Sequence, residues 1–339
     1  MITPAFLKPG DKVGIVATAR KISREEVEPA IKVLESWGLA VELGGNLFET
    51  DNQFAGNDDL RAGDLQQMLD NPEIRAIICA RGGYGTVRII DQLNFLEFEK
   101  NPKWIVGYSD ITVLHSHIHR NFEIETLHAT MPLNFPADGG FSEPVEALRK
   151  CLFGEAPGYE IQAGELSRTG HAQGVVVGGN LSILYSLSGT PSEIETEGKI
   201  LFIEDLDEYL YHIDRMMMNL KRSGKLEHLA GLVIGGMSQM RDNTIPFGKT
   251  AEQIIADVVK EYNYPVLFGF PAGHLDVNMP LVFGREAILE VGEQASLVFP
   301  DPAQPAGGKQ LKGIIKPAAF ILGFFVVLYV LYALLTDNL

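Results

Sequence analysis

Short apolar segments alternate with amphipathic helical patterns along the first third of the chain, and this alternation restricts the fold more than any other feature. Strands are predicted at residues 12–17, 40–43, 76–80 and 104–106. Helices are predicted between and after them, at residues 24–37, 58–69, 87–96 and 111–119. Strands joined by crossover helices form a parallel sheet with helices on both of its faces. We therefore predict an N-terminal α/β domain over residues 1–135.

The pattern changes after a polar stretch near residue 140, because strand signals now outnumber helical ones. Strands are predicted at residues 199–205, 232–234, 266–268, 287–289 and 296–299, with one amphipathic helix after the first of them. We predict a flavodoxin-like parallel-sheet domain, an interdomain connection at 136–164, and a smaller α+β C-terminal domain at 165–300. A cleft between two domains is the usual place for an active site.

Charge and cysteine content exclude several classes of protein. The 339 residues contain 44 acidic and 28 basic side chains, a formal net charge of -16. Nucleic-acid binding is driven by clustered Lys and Arg, so we expect no nucleic-acid partner. Cys79 and Cys151 have no metal-ligand spacing, and two isolated thiols fit a reducing compartment better than a disulfide framework.

An uncharged apolar segment lies close to the C-terminus, at residues 317–335. As a helix it would rise about 28 Å, close to the roughly 30 Å hydrocarbon core of a bilayer. A Pro- and Gly-rich linker at 301–316 precedes it and carries three lysines, which favours a cytoplasmic location for that flank. No signal peptide is apparent. We predict a C-terminal transmembrane helix that anchors a cytoplasmic body to the cytoplasmic membrane.

The sharpest local motif is Trp104-Ile-Val-Gly-Tyr-Ser-Asp-Ile-Thr112, where an apolar strand meets a helix. A serine at such a junction has the topology of a nucleophile elbow, and the N–H of the next residue can receive an oxyanion. The motif lacks the second glycine of the common hydrolase elbow. From the local sequence alone, Ser109 is explained more simply as a helix N-cap.

A serine nucleophile requires a histidine base and a group that orients the base. His274 lies in a glycine- and proline-rich loop after a predicted strand, where catalytic side chains are often found. Glu204 ends the apolar run 199–203, although a role as a turn residue would explain an acidic side chain at a strand end equally well. His115 and His119 share a helix face and could bind a metal ion, but no third ligand is evident nearby, so packed or solvated residues are the preferred interpretation.

Several motifs together resemble one family, the LD-carboxypeptidases, which are serine peptidases also called muramoyltetrapeptide carboxypeptidases. The matching blocks cover nearly all of residues 10–290 in the order of the family. The main ones are Phe54-Ala-Gly-Asn-Asp-Asp-Leu-Arg61, Ala80-Arg-Gly-Gly-Tyr-Gly85, Gly107-Tyr-Ser-Asp-Ile-Thr112, Gly178-Gly-Asn-Leu181, Ile203-Glu-Asp205 and Gly273-His274.

The resemblance implies a catalytic triad in which Ser109 is the nucleophile, His274 the general base and then acid, and Glu204 the orienting carboxylate. It also implies an oxyanion hole formed by the backbone N–H groups of Asp110 and Gly83. Neither a metal ion nor another cofactor is expected.

The resemblance further implies a substrate. The enzyme is expected to release the terminal D-alanine from murein tetrapeptides by cleaving an L,D-peptide bond, as in peptidoglycan recycling. The leaving group carries a carboxylate, and Arg81 is a candidate to bind it, with a structural salt bridge as an equally good explanation. Family members commonly dimerise, so a homodimer is an expectation.

Two alternatives stay open. The microcin-immunity branch of the same family cleaves a peptide-nucleotide and uses an aromatic-bearing loop. The chain leaves little room for such a loop between Ser192 and Glu204 or after Leu220. A non-enzymatic protein that binds murein peptides is the second, and an intact Ser, Glu and His argue against it. The predicted membrane span departs from the family pattern.

Overall fold

The structure, a computed structural model, describes residues 1–300 of the chain. Its strands, numbered along the chain, are β1 (Lys12–Val16), β2 (Ala40–Leu43), β3 (Ile74–Cys79), β4 (Trp104–Gly107), β5 (Thr126–His128), β6 (Gly158–Gln162), β7 (Gly170–Asn180), β8 (Ile200–Leu206), β9 (Gly231–Ser238), β10 (Val266–Phe268), β11 (Leu281–Phe283), β12 (Glu286–Val291) and β13 (Gln294–Val298). Its helices are α1 (Arg24–Ser36), α2 (Asp58–Asp70), α3 (Thr86–Ile89), α4 (Leu96–Lys100), α5 (Thr112–Phe122), α6 (Glu143–Leu152), α7 (Leu181–Ser186), α8 (Leu210–Arg222) and α9 (Ala251–Val258).

The first sheet contains six strands in the order β11-β5-β4-β3-β1-β2. The five N-terminal strands are all parallel, in the strand order 2-1-3-4-5 of flavodoxin-like folds. Strands β3 and β4 are almost completely buried, as expected for a parallel sheet that helices cover on both faces. The α/β prediction for this part of the chain is confirmed. In such sheets ligands bind at the carboxyl ends of the strands, beside the point where the strand order reverses.

The second sheet contains seven strands in the order β10-β9-β8-β7-β12-β13-β6. Strands β7 to β10 are parallel, whereas β12, β13 and β6 continue the sheet in antiparallel fashion. This sheet is mixed, and by strand number it is not smaller than the first. Helix α8 packs its apolar face on this part of the core through Ile213, Met216, Met217 and Leu220.

Two strands pair with sheets outside their own predicted segments. Strand β6 lies in the segment predicted as the connection, residues 136–164, and joins the second sheet. Strand β11 comes from the predicted C-terminal domain but pairs antiparallel with β5 at the edge of the first sheet. Each sheet therefore contains a strand from outside the residues predicted for its domain. The domain boundaries themselves stay predictions.

The prediction of one continuous helix over residues 87–96 is wrong, because the structure contains two shorter helices there. Helix α3 ends at Ile89, a 3₁₀ turn covers Ile90–Gln92, and α4 begins only at Leu96. The side chain of Gln66 explains the break, because its Oε1 accepts from the backbone N–H of Asn94 (2.7 Å) and its Nε2 donates to the carbonyl of Asn94 (2.9 Å). A tertiary contact thus satisfies backbone groups that a continuous helix would pair internally.

The predicted location at the cytoplasmic membrane is contradicted. Within residues 1–300, no helix is both long enough and apolar enough to cross a bilayer. The predicted linker, 301–316, and the predicted transmembrane helix, 317–335, lie outside the described residues. Hydropathy was the basis of that prediction, and hydropathy alone does not establish a helix. We therefore assign this chain neither a membrane location nor a membrane partner.

Candidate active site

Ser109 lies at the sharp turn between β4 and α5. Its φ of 64° is in the left-handed region, which costs a residue that has a Cβ roughly 1–2 kcal/mol. A 3₁₀ turn, Ser109–Ile111, leads into α5, and no side chain caps either helix. The Ser109 hydroxyl faces His274 instead, so the structure does not support the N-cap explanation.

Ser109, His274 and Glu204 form a continuous chain of hydrogen bonds. The Nε2 atom of His274 lies 3.1 Å from Ser109 Oγ, and its Nδ1 lies 2.6 Å from Glu204 Oε2. Glu204 is fully buried in β8, whereas His274 is partly exposed in the loop after β10. A hydroxyl, an imidazole and a carboxylate in this order have the geometry that a nucleophile, its base and an orienting group require.

The backbone of His274 is held by hydrogen bonds at both its N–H and its carbonyl. The N–H of His274 donates to Glu204 Oε2 (3.2 Å), and the hydroxyl of Ser238 donates to the His274 carbonyl (2.8 Å). Gly273 has a φ of 100°, and a Cβ at this position would lie 2.7 Å from the Glu204 carboxylate. Only glycine allows the loop to approach Glu204 so closely, which explains the Gly-His dipeptide in the sequence.

Burial and charge act in opposite directions on His274. Burial lowers the pKa of the imidazole. The hydrogen bond and negative charge of Glu204, together with the charge of Asp205, raise the pKa by more than burial lowers it, so the pKa lies above its ordinary value of 6.5. The surroundings therefore favour the imidazolium, which is the form that a proton transfer from Ser109 would produce.

The Ser109 hydroxyl borders a cavity of about 340 Å³ at the carboxyl ends of β1, β3 and β4. This is the side of a flavodoxin-like sheet where ligands are expected. Among the predicted residues, Arg81, Gly83, Asp110 and His274 also line the cavity, while Glu204 lies behind His274. The structure brings all six predicted residues together.

The glycine loop 81–85 packs directly on the elbow. A Cβ placed on Gly82 would lie 3.0 Å from Ser109 Oγ and 3.4 Å from the backbone N of Asp110. Gly83 and Asp110 border the same cavity as the Ser109 hydroxyl. Backbone N–H groups from two such segments can stabilise a developing oxyanion when they lie close to the attacking atom.

Buried polar side chains hold the C-terminal end of the glycine loop 81–85 in place. The backbone N–H of Thr86 donates to Asp110 Oδ2 (2.8 Å), and the buried Arg61 donates to the carbonyls of Gly85 (3.0 Å) and Thr18 (2.6 Å). Asp58 forms an ion pair with the same guanidinium. The loop and the elbow are thus joined to α2 through the buried side chains of Asp110 and Arg61.

Arg81 occupies the border between two cavities. It lines both the Ser109 cavity and a neighbouring one that contains Arg24 and Phe48. Its Nη1 donates to the carbonyl of Lys21 (3.1 Å), and no salt bridge to it is present within residues 1–300. The salt bridge that was the alternative explanation for Arg81 is therefore not found in this part of the chain.

The histidines of α5 are packed residues. His115 and His119 are buried, and their Nε2 atoms lie 2.9 Å from the carbonyl of Gly107 and from Thr126 Oγ1, respectively. Burial lowers the pKa of His115 to about 4. These contacts agree with the preferred interpretation of both residues as part of the core.

Sequence reasoning assigned no role to two polar residues of the cavity. Asp205 Oδ1 accepts from Asn180 Nδ2 (3.0 Å), and its Oδ2 accepts from the backbone N–H of Ser182 (2.9 Å). Burial, followed by the charge of Glu204, raises the pKa of Asp205 to about 7. Asn180 and Asp205 belong to the matched blocks Gly178-Gly-Asn-Leu181 and Ile203-Glu-Asp205, so the signal for both residues was present in the sequence.

Comparison with known proteins identifies the family. The description of the LD-carboxypeptidase N-terminal domain matches residues 13–129, and that of the LD-carboxypeptidase C-terminal domain matches residues 173–289. A probable murein peptide carboxypeptidase from Bacillus subtilis (strain 168) is 37% identical over 305 residues, which cover 87% of this chain and 93% of that protein. This chain belongs to the LD-carboxypeptidase family. The resemblance inferred from the motifs is confirmed, and the chain is a peptidase by family.

Other members of the LD-carboxypeptidase family extend the comparison. The murein tetrapeptide carboxypeptidase of Pseudomonas aeruginosa is 27% identical over 292 residues, covering 82% of this chain and 93% of that protein. The crystal structure of muramoyltetrapeptide carboxypeptidase from Oxalobacter formigenes superposes with a TM-score of 0.78 at 26% identity, covering 86% of this chain and all of that chain. The microcin C7 self-immunity protein superposes with a TM-score of 0.77 at 21% identity, covering 88% of this chain and 99% of that chain, and it supports the fold alone.

Proposed function

We propose that this chain is a serine-type carboxypeptidase that releases the terminal D-alanine from murein tetrapeptides by cleaving an L,D-peptide bond. The hydrogen-bonded chain from Ser109 through His274 to Glu204, at the wall of a cavity, carries the proposal. The two relatives named for murein peptides support the substrate class. Processing of murein peptides during peptidoglycan recycling is the corresponding cellular role.

In the acylation step, Ser109 Oγ attacks the carbonyl carbon of the bond to D-alanine while His274 Nε2 takes the hydroxyl proton. The negative charge moves to the carbonyl oxygen, where the backbone N–H groups of Asp110 and Gly83 stabilise it. Glu204 stabilises the imidazolium that forms at His274. When the tetrahedral intermediate collapses, His274 donates its proton to the nitrogen of D-alanine, which leaves as the amino acid.

In the deacylation step, water attacks the ester that joins the tripeptide to Ser109. His274 Nε2 takes a proton from the water, and the oxyanion again lies against the same N–H groups. Collapse breaks the ester bond, and His274 returns the proton to Ser109 Oγ. The tripeptide leaves with a new carboxylate, and the free enzyme is regenerated.

The raised pKa of His274 fits both steps. A base with a pKa near the working pH is present partly in the neutral form that accepts a proton and holds the proton well enough to deliver it to a leaving group. Glu204 supplies this tuning, because burial alone would lower the pKa of the imidazole.

The test is a substrate panel analysed by mass spectrometry. Purified protein is incubated with a disaccharide tetrapeptide, a peptide-nucleotide of the microcin type, and a murein tripeptide as the expected product. We expect release of one D-alanine from the tetrapeptide and no change in the tripeptide. Ser186→Ala, which alters an exposed serine of α7, serves as a matched active control for Ser109→Ala.

The other outcomes identify the alternatives. Cleavage of the peptide-nucleotide in preference to the tetrapeptide would assign the chain to the microcin-immunity branch of the family. Binding of the tetrapeptide with no cleavage of either substrate would indicate a binding protein. The homodimer implied by the resemblance stays a prediction, and sedimentation of the same preparation measures it.

A further inference from the structure

Arg20 lines the Ser109 cavity and is exposed to solvent, although no sequence motif includes it. It follows β1 at the point where the order of the first sheet reverses. Its backbone is fixed between two hydrogen bonds, from the N–H of Ala55 to the carbonyl of Ala19 (3.1 Å) and from the N–H of Lys21 to the carbonyl of Gln53 (3.0 Å). The base of this exposed side chain therefore has a defined position.

The side chain of Arg20 lies across the glycine loop. A Cβ placed on Gly83 would lie 2.2 Å from Arg20 Cδ, and Gly83 has a φ of 118°. A residue with a side chain at position 83 would displace Arg20 and strain the loop. The glycine thus allows the Arg20 methylene groups to rest directly on the loop whose N–H group is proposed for the oxyanion hole.

The guanidinium of Arg20 has no competing partner within residues 1–300. None of the side-chain hydrogen bonds or salt bridges of this part of the chain includes it. The two carboxylates of the cavity, Asp110 and Asp205, are buried and already accept backbone N–H groups. Arg20 therefore presents a free positive charge to a ligand in the cavity, in a chain with a net charge of -16.

We propose that Arg20 binds the C-terminal carboxylate of the peptide substrate and makes the enzyme select peptides with a free C-terminus. In the proposed reaction one residue separates the scissile carbonyl from this carboxylate, and successive residues are about 3.8 Å apart. The cation that binds the carboxylate must therefore lie next to the oxyanion loop, where the Arg20 stem is found. A guanidinium can donate two parallel hydrogen bonds to a carboxylate.

Arg20 fits this role better than Arg81. One terminal nitrogen of Arg81 already donates to the carbonyl of Lys21, and its side chain extends along the border with the neighbouring cavity. The inference rests on the proposed function for the identity of the substrate, but it depends only on the carboxylate and not on which diamino acid precedes it.

The experiment compares a tetrapeptide ending in D-alanine with the same peptide ending in D-alanine amide. We expect Arg20→Ala to lower kcat/KM for the free acid roughly tenfold, the lower end for hydrogen bonds to charged groups, because the Arg20 side chain is exposed to solvent. The loss should appear mainly in KM, and the rate on the amide should not change. Lys21→Ala removes the neighbouring positive charge and should leave the preference for the acid intact.

Arg20→Lys keeps the charge without the paired donors and should recover only part of the preference. The idea is overturned if Arg20→Ala keeps the wild-type ratio of acid to amide, or if it lowers both rates equally. The same comparison is made by calorimetric binding to Ser109→Ala and to Ser109→Ala with Arg20→Ala. An absence of D-alanine release by the wild type would refute the proposed function, whereas the binding ratio would still test Arg20.

Discussion

Replacement of Glu204 by Gln tests the central contact of the site, because it removes one charge and keeps the shape of the side chain. In the wild type, Glu204 Oε2 lies 2.6 Å from His274 Nδ1 and accepts the His274 backbone N–H at 3.2 Å. The Glu204 side chain is fully buried, whereas the His274 side chain keeps 16% of its surface exposed.

The expected loss follows from these contacts. A hydrogen bond to a charged group contributes about 1.5–3 kcal/mol, and the proposed transition state places a full charge on His274, so this loss alone should lower kcat roughly 10- to 100-fold. An amide also offers an N–H to Nδ1, which favours the wrong tautomer, and that error costs about 10⁴ in other serine triads. We expect kcat to fall by roughly 10² to 10⁴, with little change in KM.

The pH profile should change in a defined direction. In the wild type His274 has a raised pKa, so kcat/KM falls as the pH decreases through a value above 6.5 and the imidazole becomes protonated. The variant loses the hydrogen bond and charge of Glu204, which raise this pKa, and keeps the burial, which lowers it. The acidic limb of the profile should therefore move to lower pH while the plateau falls.

The assay measures D-alanine release between pH 5 and 9 by a coupled oxidase. Glu208→Gln is the matched control, because Glu208 Oε2 lies 2.6 Å from Nδ1 of His212 in an equivalent pair outside the cavity. Its profile should match the wild type. An acidic limb that stays in place in Glu204→Gln, or a kcat within threefold of the wild type, would refute the assignment of Glu204 as the group that tunes His274.

Three further predictions concern stability. Ser109→Gly should be more stable than Ser109→Ala by about 1 kcal/mol in urea unfolding, because glycine adopts the left-handed φ of 64° without strain. Arg61→Ala should cost about 3 kcal/mol, because it leaves Asp58 with only the exposed Arg88 and leaves the carbonyl of Gly85 without its donor. Asp205→Asn should gain stability relative to the wild type as the pH rises from 4 to 7. The raised pKa of Asp205, about 7, means that the folded wild type binds more protons than the unfolded chain in this range and loses up to about 4 kcal/mol across it.

Specific results would contradict these three predictions. Equal stability of the glycine and alanine variants would mean that position 109 is not strained. A cost for Arg61→Ala no larger than that for the exposed Arg88→Ala, expected below about 1 kcal/mol, would mean that the buried contacts do not hold the loop. A stability difference between Asp205→Asn and wild type that does not change with pH would mean that Asp205 keeps an ordinary pKa.

Local sequence patterns predicted four of the six strands of the first sheet, β1 to β4, because each is a short apolar run next to a helical pattern. They could not predict that β11 would join this sheet, since that pairing depends on contacts across most of the chain. The helix predicted at 87–96 failed for the same reason, because the side chain of Gln66 competes for the backbone of Asn94.

The candidate site likewise contains some residues that local sequence features indicate and others that only the tertiary structure reveals. Ser109, Glu204 and His274 lie in recognisable blocks, each with a local feature such as a strand end or a glycine loop. Arg20 has no such signal, because its position depends on the 53–55 segment and on the space above Gly83. The raised pKa of Asp205 arises from burial beside Glu204, which composition and spacing do not reveal.

D-alanine release by Ser109→Ala, compared with the wild type and with Ser186→Ala, is the most direct test of the proposed reaction. A disaccharide tetrapeptide is the substrate, and circular dichroism verifies that all three proteins are folded. The proposed mechanism predicts a loss of at least about 10³-fold in Ser109→Ala alone, since the residual rate depends only on substrate binding and the oxyanion hole. A Ser109→Ala protein that releases D-alanine at a rate near the wild type would contradict the assignment of Ser109 as the nucleophile.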